Sequence, residues 1–500
     1  VTESPPATVL DRAIGWFAPR WGAERAYWRA AMTATRAYDA AKVGRRTAGW
    51  DRSSGSANAE LWMAAQNIRN STRALVRNNP WASIAVSKMA AKTVGTGINP
   101  RPSTEDKARR RLYSDQWLRF VDNSDPEGQL DFNGQVLLGA RTVFEAGECL
   151  VRFLPRPASW KLDVPLQVQV LEPDWLDASI TRRLDDGGAD IQGVRYDRNG
   201  RRIGYWLFDE HPGEVVPINV RGSYQSRLVP ASDILHVFQP LRPGQARGVS
   251  MFTPSAMRLH DIDDYADAVR VAKKIASCFA AFVKRPAGAA SPLSKPSNDE
   301  QGRRIERLSP GLVQYLNPGE EVSFGNPPTA GGEVEYMNME LHAVAAGLGM
   351  TYEMMTGDLS QGNYSSIRVG TIDFWDLLDI WQWLVFIPQL HRRVWQRVDR
   401  LLVALGERRQ VGMPVTWATP KRRLVDPGKE IAAERDAIRS GLKTLMQSIA
   451  EAGEDPDEQL DEIASLNTRL DALNIVLDSD PRKTRPATTA APQPESTTKE

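Results

Sequence analysis

Residues 253–285 read TPSAMRLHDIDDYADAVRVAKKIASCFAAFVKR, and this stretch decides the fold class. Ile262, Tyr265, Ala266, Val269, Ala272, Ala276, Phe279, Ala280 and Val283 recur at steps of three and four, which is one face of a long helix. Thr253 is a candidate N-cap, with Pro254 at the first helical position. The alanines at 266, 268, 272, 276 and 280 suit close approach of a neighbouring helix, although an ordinary core helix shows the same stripe. Asp261, Asp263, Asp264 and Asp267 come early; Arg270, Lys273, Lys274, Lys284 and Arg285 come late. Complementarity to the helix dipole accounts for that order by itself.

On the N-terminal side, the pattern predicts helices over 59–92, broken at Asn79-Pro80 because proline disfavours helical geometry in the residue before it. A helical pattern returns over 104–146. The period then changes to that of strands, at 149–154, 166–171, 193–196, 203–207 and 234–238. Asn199-Gly200 is a hairpin signal in which both residues tolerate positive φ. Residues 21–41 are compatible with a helix and 52–58 with a loop. On the C-terminal side, 284–333 is rich in Pro, Gly and Ser, with a hairpin expected between 312–316 and 321–324. A helix over 335–355, a polar loop at 357–363 and a long helix from 365 to about 405 follow, the last kinked at Pro388. A short segment crosses at 413–417. Two helices are expected near 429–453 and 457–473, and a disordered tail over 479–500. The fold class is therefore α+β, mainly helical.

Composition narrows the chemistry. The chain has 500 residues, with 63 basic and 62 acidic side chains, so it lacks the basic excess of a protein that grips DNA through many phosphates. Its two cysteines, Cys149 and Cys278, form no CxxC pair, and the five histidines have no metal-ligand spacing. There is no phosphate loop, dinucleotide fingerprint, HExxH or nucleophile elbow. No catalytic residue, metal or cofactor is expected. The most apolar stretch, 374–387, is too short to span a bilayer and contains Asp376, Asp379 and Gln382, so no membrane association is expected. The N-terminus has no signal-peptide pattern. Fifteen tryptophans favour an oligomer.

Several strings occur in a shared order: RALVRNNPW at 73–81, VGTGINP at 94–100, FEAGE at 144–148 and VQVLEPD at 168–174, then ILHVF at 234–238 and RPGQARGVS at 242–250, and finally GDLSQGNYSS at 357–366. In this order they resemble the lambda-type family of phage portal proteins. The resemblance implies a ring of about twelve subunits at one capsid vertex, through which double-stranded DNA enters and leaves. It implies an arm (1–60), a wing (61–252), a first stem helix (253–285), a clip (286–334) and a second stem helix (335–355). A channel loop (356–364), a long wing helix with its return segment (365–424), a crown (425–478) and a tail (479–500) complete the expected plan. Expected partners are other copies of the chain, non-specific DNA, the large terminase subunit, a head–tail adaptor, and the major capsid and scaffolding proteins. The expected location is the virion, with assembly in the host cytoplasm. Candidate DNA contacts are Lys273, Lys274, Lys284, Arg285, Ser360, Gln361 and Asn363, around a loop that also holds Gly357, Asp358, Leu359 and Gly362. Candidate motor or neck contacts are Asp299, Glu300, Arg303, Arg304 and Glu306; a plain solvated face would carry the same charges. The alternative is another ring-forming structural protein of a virion or gene-transfer particle, without DNA in its lumen.

Overall fold

In the computed structural model the described residues are 20–21, 45, 48–49, 53–214, 225–277, 281–283, 313–315, 332–360, 362–422, 426–454 and 456–477. The chain divides into Val1–Ser56 and Ala57–Glu500. In the first unit Arg20 and Trp21 are helical and the Gly55 amide donates to Ser53 Oγ (2.9 Å). Most of the 21–41 helix expectation lies outside the described residues. Everything below concerns the second unit.

The break at Asn79-Pro80 separates α1 (Ala57–Asn78) from α2 (Pro80–Val94). Asn79 is extended (φ −99°, ψ 122°), and its Oδ1 accepts from the Ala82 amide at 2.9 Å while Pro80 opens the next helix. The same side chain donates from Nδ2 to Asp263 Oδ1 at 3.0 Å, so the cap also ties this corner to the helix that defined the fold class. α3 (Lys107–Asp122) and α4 (Phe132–Ala146) follow, capped by Asp106 and Asp131. Met89 of α2, Trp117 and Phe120 of α3, and Phe132 and Phe144 of α4 share one continuous core.

Two of the sheets lie between these helices and α5 (Ala256–Ser277) in sequence. β2 (Glu148–Pro155) is the central strand of an antiparallel β3-β2-β9 sheet, with β3 at Leu166–Leu171 and β9 at Ile234–Phe238. A second antiparallel sheet runs in order β4 (Arg182–Arg183), β5 (Ala189–Ile191), β6 (Val194–Tyr196), β7 (Arg202–Leu207) and β8 (Arg227–Pro230). β4, β5 and β8 had no sequence signal, since they are short and carry arginine, aspartate or proline. The β6–β7 turn falls where expected but by another geometry. Only Gly200 has positive φ (+76°), and Asp197 Oδ1 organises the loop by accepting from the Asn199 and Arg201 amides. β1 (Asn99–Pro102) was also unforeseen. It pairs antiparallel with β12 (Val415–Ala418), although two of its four residues are prolines, which an edge strand tolerates.

Four further expectations are corrected. First, the expected 253–285 helix is corrected at both ends: α5 is Ala256–Ser277, because at its start the Thr253 hydroxyl donates to Ser250 O at 2.7 Å, and past its end Ala281–Val283, with Val283 from the expected stripe, form a strand; the first helical turn has no acid. Because the dipole effect fades beyond the first turn, it does not account for Asp261 to Asp267. Asp263 instead serves Asn79, and Asp267 pairs with Arg270. Second, the 335–355 helix is two helices, α6 (Glu333–Gly347) and α7 (Tyr352–Thr356). Gly349 (φ +69°) ends one, with Met350 N donating to Ala345 O, and Thr351 caps the next. Third, the long helix continues from α8 (Tyr364–Asp379) through a π-helical stretch, Ile380–His391, into α9 (Arg392–Ala404). Pro388 sits in the π stretch, whose wider turn accommodates the ring and its missing N–H. Fourth, the region 429–453 divides into α10 (Pro427–Arg439) and α11 (Leu445–Glu451), where Gly441 (φ +75°) stops the first helix and a Thr444–Gln447 capping box starts the second. α12 is Pro456–Ala472.

β10 (Ala281–Val283) pairs in parallel with β11 (Val313–Tyr315). The 312–316 half of the expected hairpin thus has a different partner, and its 321–324 half lies outside the described residues. The 479–500 tail lies outside them as well.

Candidate functional site

α5 and α6 run antiparallel. Ser255 Oγ, just before α5, donates to Val344 O (3.3 Å); Arg258 meets Glu340 (2.6 Å); Tyr265 packs edge-on against Tyr336 (4.8 Å between centroids); Lys273 meets Glu333 (3.1 Å). A β-carbon at Gly347 would lie 2.2 Å from Ser255 Oγ, so the close end of the pair needs a glycine there. Among the described side chains of α5, Leu259 and Ile262 reach the core. Farther along, Val271 is 56% exposed, and Val334 and Met339 of α6 are 68% and 59% exposed. Past the core the described part of the helix pair thus carries exposed apolar side chains on both helices.

The polar loop follows α7. Gly357 caps that helix in the left-handed region (φ +77°). Asp358 Oδ1 accepts from the Ser360 amide at 2.9 Å, and this bond and the Ser360 hydroxyl hold the carboxyl below its ordinary range. Leu359 is exposed, the Gly362 amide donates to Leu359 O, and Asn363 caps α8 in a reciprocal capping box with Ser366. Asn363 Oδ1 is thus committed to a helix start. The base of the loop is held by Tyr352, whose ring stacks on His342 of α6 at 4.2 Å and whose hydroxyl donates to Asn338 Oδ1 at 3.2 Å. From α2, Lys88 Nζ donates to Met354 O.

The structure thus gathers Gly357, Asp358, Leu359, Ser360, Gly362 and Asn363 into one exposed loop at the end of the α6–α7 arm. Lys273 stands in an ion pair, and Lys274 is exposed on the same turn. Gln361, Lys284, Arg285, and the five clip residues Asp299, Glu300, Arg303, Arg304 and Glu306 lie outside the described residues.

Sequence reasoning missed the most tightly built polar site. Glu148 is 1% exposed. Its carboxylate accepts from Arg247 Nε (2.7 Å), the Gly248 amide (2.7 Å) and His236 Nε2 (2.8 Å). Arg247 also donates to Gln192 O and Pro173 O, and Arg202 Nη1 donates to His236 Nδ1 at 2.9 Å. Burial alone would raise the Glu148 pKa, but Arg247 and His236 hold it well below the carboxylate range. Burial pushes His236 down to about 4 against the pull of Glu148, so the ring is neutral at pH 7, with its proton on Nε2. The glycines at 147 and 248 let the two backbones meet: a β-carbon on Gly248 would lie 2.1 Å from Gly147 O. Glu148, Pro173, His236 and Arg247 come from four of the strings that carried the family resemblance. Their meeting fastens the segment leading into α5 to the β3-β2-β9 sheet.

Glu172, Asp174 and His211 also converge, with one ligand atom of each within 4.8 Å of the others. Arg73 Nη2 already stands 2.9 Å from Glu172 and 2.5 Å from Asp174. That guanidinium supplies the positive charge a metal would bring, and the group is an ion-pair cluster.

An antiparallel helix pair beside two small antiparallel sheets, with a polar loop between α7 and α8, defines a mixed helix-and-sheet, mainly helical class of subunit. The family model for the lambda family of phage portal proteins matches residues 43–382, and the chain belongs to that family. It is 25% identical over 466 residues to a probable portal protein of Halomonas phage phiHAP-1, covering 89% of this chain and 88% of that one. It is 24% identical over 464 residues to the portal protein of Escherichia phage N15, covering 82% and 85%. Among solved structures, a chain from the neck of an empty gene transfer agent particle aligns with a TM-score of 0.41 and 14% identity, over 81% of this chain and 95% of that one.

Proposed function

We propose that this chain is the repeating subunit of a closed ring at one capsid vertex, which conducts double-stranded DNA during packaging and ejection. The observation that carries this reading is the family match over 43–382, a range that takes in the wing, both stem helices and the loop. The exposed apolar side chains Val271, Val334 and Met339 of α5 and α6 support it, because in a ring each stem is flanked by its neighbours'. The loop at 357–363 faces the duplex with amides, one hydroxyl (Ser360) and a single carboxylate, Asp358, which repels phosphate. Few and weak contacts let the duplex slide. Lys273, Lys274, Lys284 and Arg285 add sparse positive charge along the stem.

In this reading the wing is 61–252, the stems 253–285 and 335–355, the clip 286–334, the channel loop 356–364, the return wing 365–424 and the crown 425–478. The clip docks the large terminase subunit and later a head–tail adaptor through Asp299, Glu300, Arg303, Arg304 and Glu306. Major capsid and scaffolding proteins contact the ring during assembly in the host cytoplasm.

The test is end-on imaging of the purified protein. Rings of about twelve-fold symmetry around a central channel are expected. Monomers or compact dimers that persist across salt and concentration overturn the reading. Rings that assemble in capsids but pass no DNA select the ring without translocation.

A further inference from the structure

The helix α9 has two unlike faces. Val394, Trp395, Val398 and Leu402 point into the core. Asp399, the only carboxylate of the helix, points inward with them. It is 2% exposed and is taken by Arg408 Nη1 and the Gly412 amide, both at 2.7 Å. Outward stand Arg392, Arg393, Gln396 and Arg400, all exposed, with Arg397 half-buried beside them. Helical periodicity puts these five on one side. Arg397 meets Asp233 at 3.3 Å and lies over the Phe153 ring. Among the described residues, no carboxylate forms an ion pair with Arg392, Arg393 or Arg400.

Four arginines over about two turns against one carboxylate is a local excess in a chain whose formal net charge is +1. Like charges at these spacings weaken a helix, so the row is not arranged for the helix's own stability. A partner must therefore be negative. Two features favour phosphate over an acidic protein surface. The row is polar throughout from Arg392 to Arg400, without the apolar centre of a protein interface. It is also built of arginine, whose planar fork matches phosphate oxygens. Arg392 and Arg400 are about 12 Å apart along the helix, and a duplex offers about one negative charge per 1.7 Å of its axis. We propose that the outward face of Arg392–Ala404 binds the phosphate backbone of double-stranded DNA, without regard to sequence, at a place separate from the channel loop.

The proposal rests on the reading that the chain forms a ring that handles DNA, and the test separates the two. A relaxed, covalently closed circular duplex cannot thread a closed ring, so its binding to assembled rings reports outer surfaces only. Wild-type rings are expected to bind it with a steep salt dependence. R392A/R393A/R400A rings are expected to bind it at least about tenfold more weakly near 100 mM salt, with a log–log salt slope shallower by about two to three. R392K/R393K/R400K is expected to keep most of the affinity. Unchanged binding by the alanine variant overturns the proposal. So does a triple variant whose rings fall apart, which assigns the face to a neighbouring subunit. Competition by polyglutamate equal to that of DNA at matched charge assigns it to an acidic protein and overturns it too. Wild-type rings that bind the circle yet never pass a linear duplex would remove the channel reading and leave this one standing.

Discussion

Replacing Arg247 by alanine tests whether the buried network fastens the segment before α5 to the β3-β2-β9 sheet. Arg247 and Glu148 are each about 1% exposed in their side chains, and their closest N–O distance is 2.6 Å. Removing one partner of such a pair leaves a buried charge unmatched and costs about 3–5 kcal/mol. An exposed pair is worth about 0.2–1 kcal/mol, and Arg242–Glu60, 50% and 39% exposed, is the internal control. The pH dependence carries a second signature. Without Arg247, burial dominates at Glu148 and raises its pKa, so the variant takes up a proton that the wild type refuses. The stability difference between wild type and R247A should then be greatest at pH 7 and shrink toward pH 4. Urea unfolding followed by tryptophan fluorescence, for R247A, R242A and wild type at several pH values, measures both effects. E148Q/R247M should recover much of the loss, because a buried pair is replaceable as a unit. An R247A cost no larger than that of R242A, or a difference that stays flat with pH, refutes the reasoning.

Acid should weaken the fold well above the carboxylate range. Burial lowers His391 to about 3 and His236 to about 4, below the ordinary 6.5. The unfolded chain therefore binds protons before the folded one does, and stability falls as pH drops from 6.5 toward 3 for His391 and toward 4 for His236. For His391 the loss is about 2 kcal/mol by pH 5, and H391L should remove that share of the slope in pH-jump unfolding. G248A should fail to form the network: its methyl would meet Gly147 O, Gly147 C and Glu148 Cβ at 2.1, 2.7 and 2.8 Å. A cost of at least about 1–3 kcal/mol, read as a fall in melting temperature, is expected. Y352A should release the loop base by removing the His342 stack and the Asn338 bond, and hydrogen exchange at 357–362 should quicken while exchange in α2 stays as it was.

Much of the fold was legible because its signals are local. Pro80 breaks a helix wherever it stands, and Asn79 before it is a good cap, so the α1–α2 corner could be placed to the residue. The helical period of α5 likewise survives any tertiary context. What failed was set by partners distant in sequence. β1 is a strand because β12 lies beside it, more than three hundred residues on. The α5 start moved from Thr253 to Ala256 because the Thr253 hydroxyl turns back to Ser250. The α6–α7 break had a readable signal in Gly349 followed by Thr351, a stop and a start two residues apart, which the apolar run around them masked.

The site divides the same way. The polar loop is a local object: two glycines, a serine and a capping asparagine can be read in order, and the structure finds them together. The Glu148 network is not local. Its carboxylate, imidazole and guanidinium come from positions 148, 236 and 247, and each looks ordinary alone, since a lone Glu, His or Arg is usually a surface residue. Their strings nevertheless stood out as family strings before any role could be given to them. The physics says why such residues resist change. An apolar pair of the same volume could stand in for Glu148 and Arg247, but only if both changed together, and each single step passes through a buried unpaired charge. His236 and the glycines at 147 and 248 add steps of the same kind. A network of this sort holds its residues by the cost of leaving it one at a time, more than by its net stability. In this chain it ties the segment just ahead of α5 to the β3-β2-β9 sheet, where a small displacement is carried into the helix.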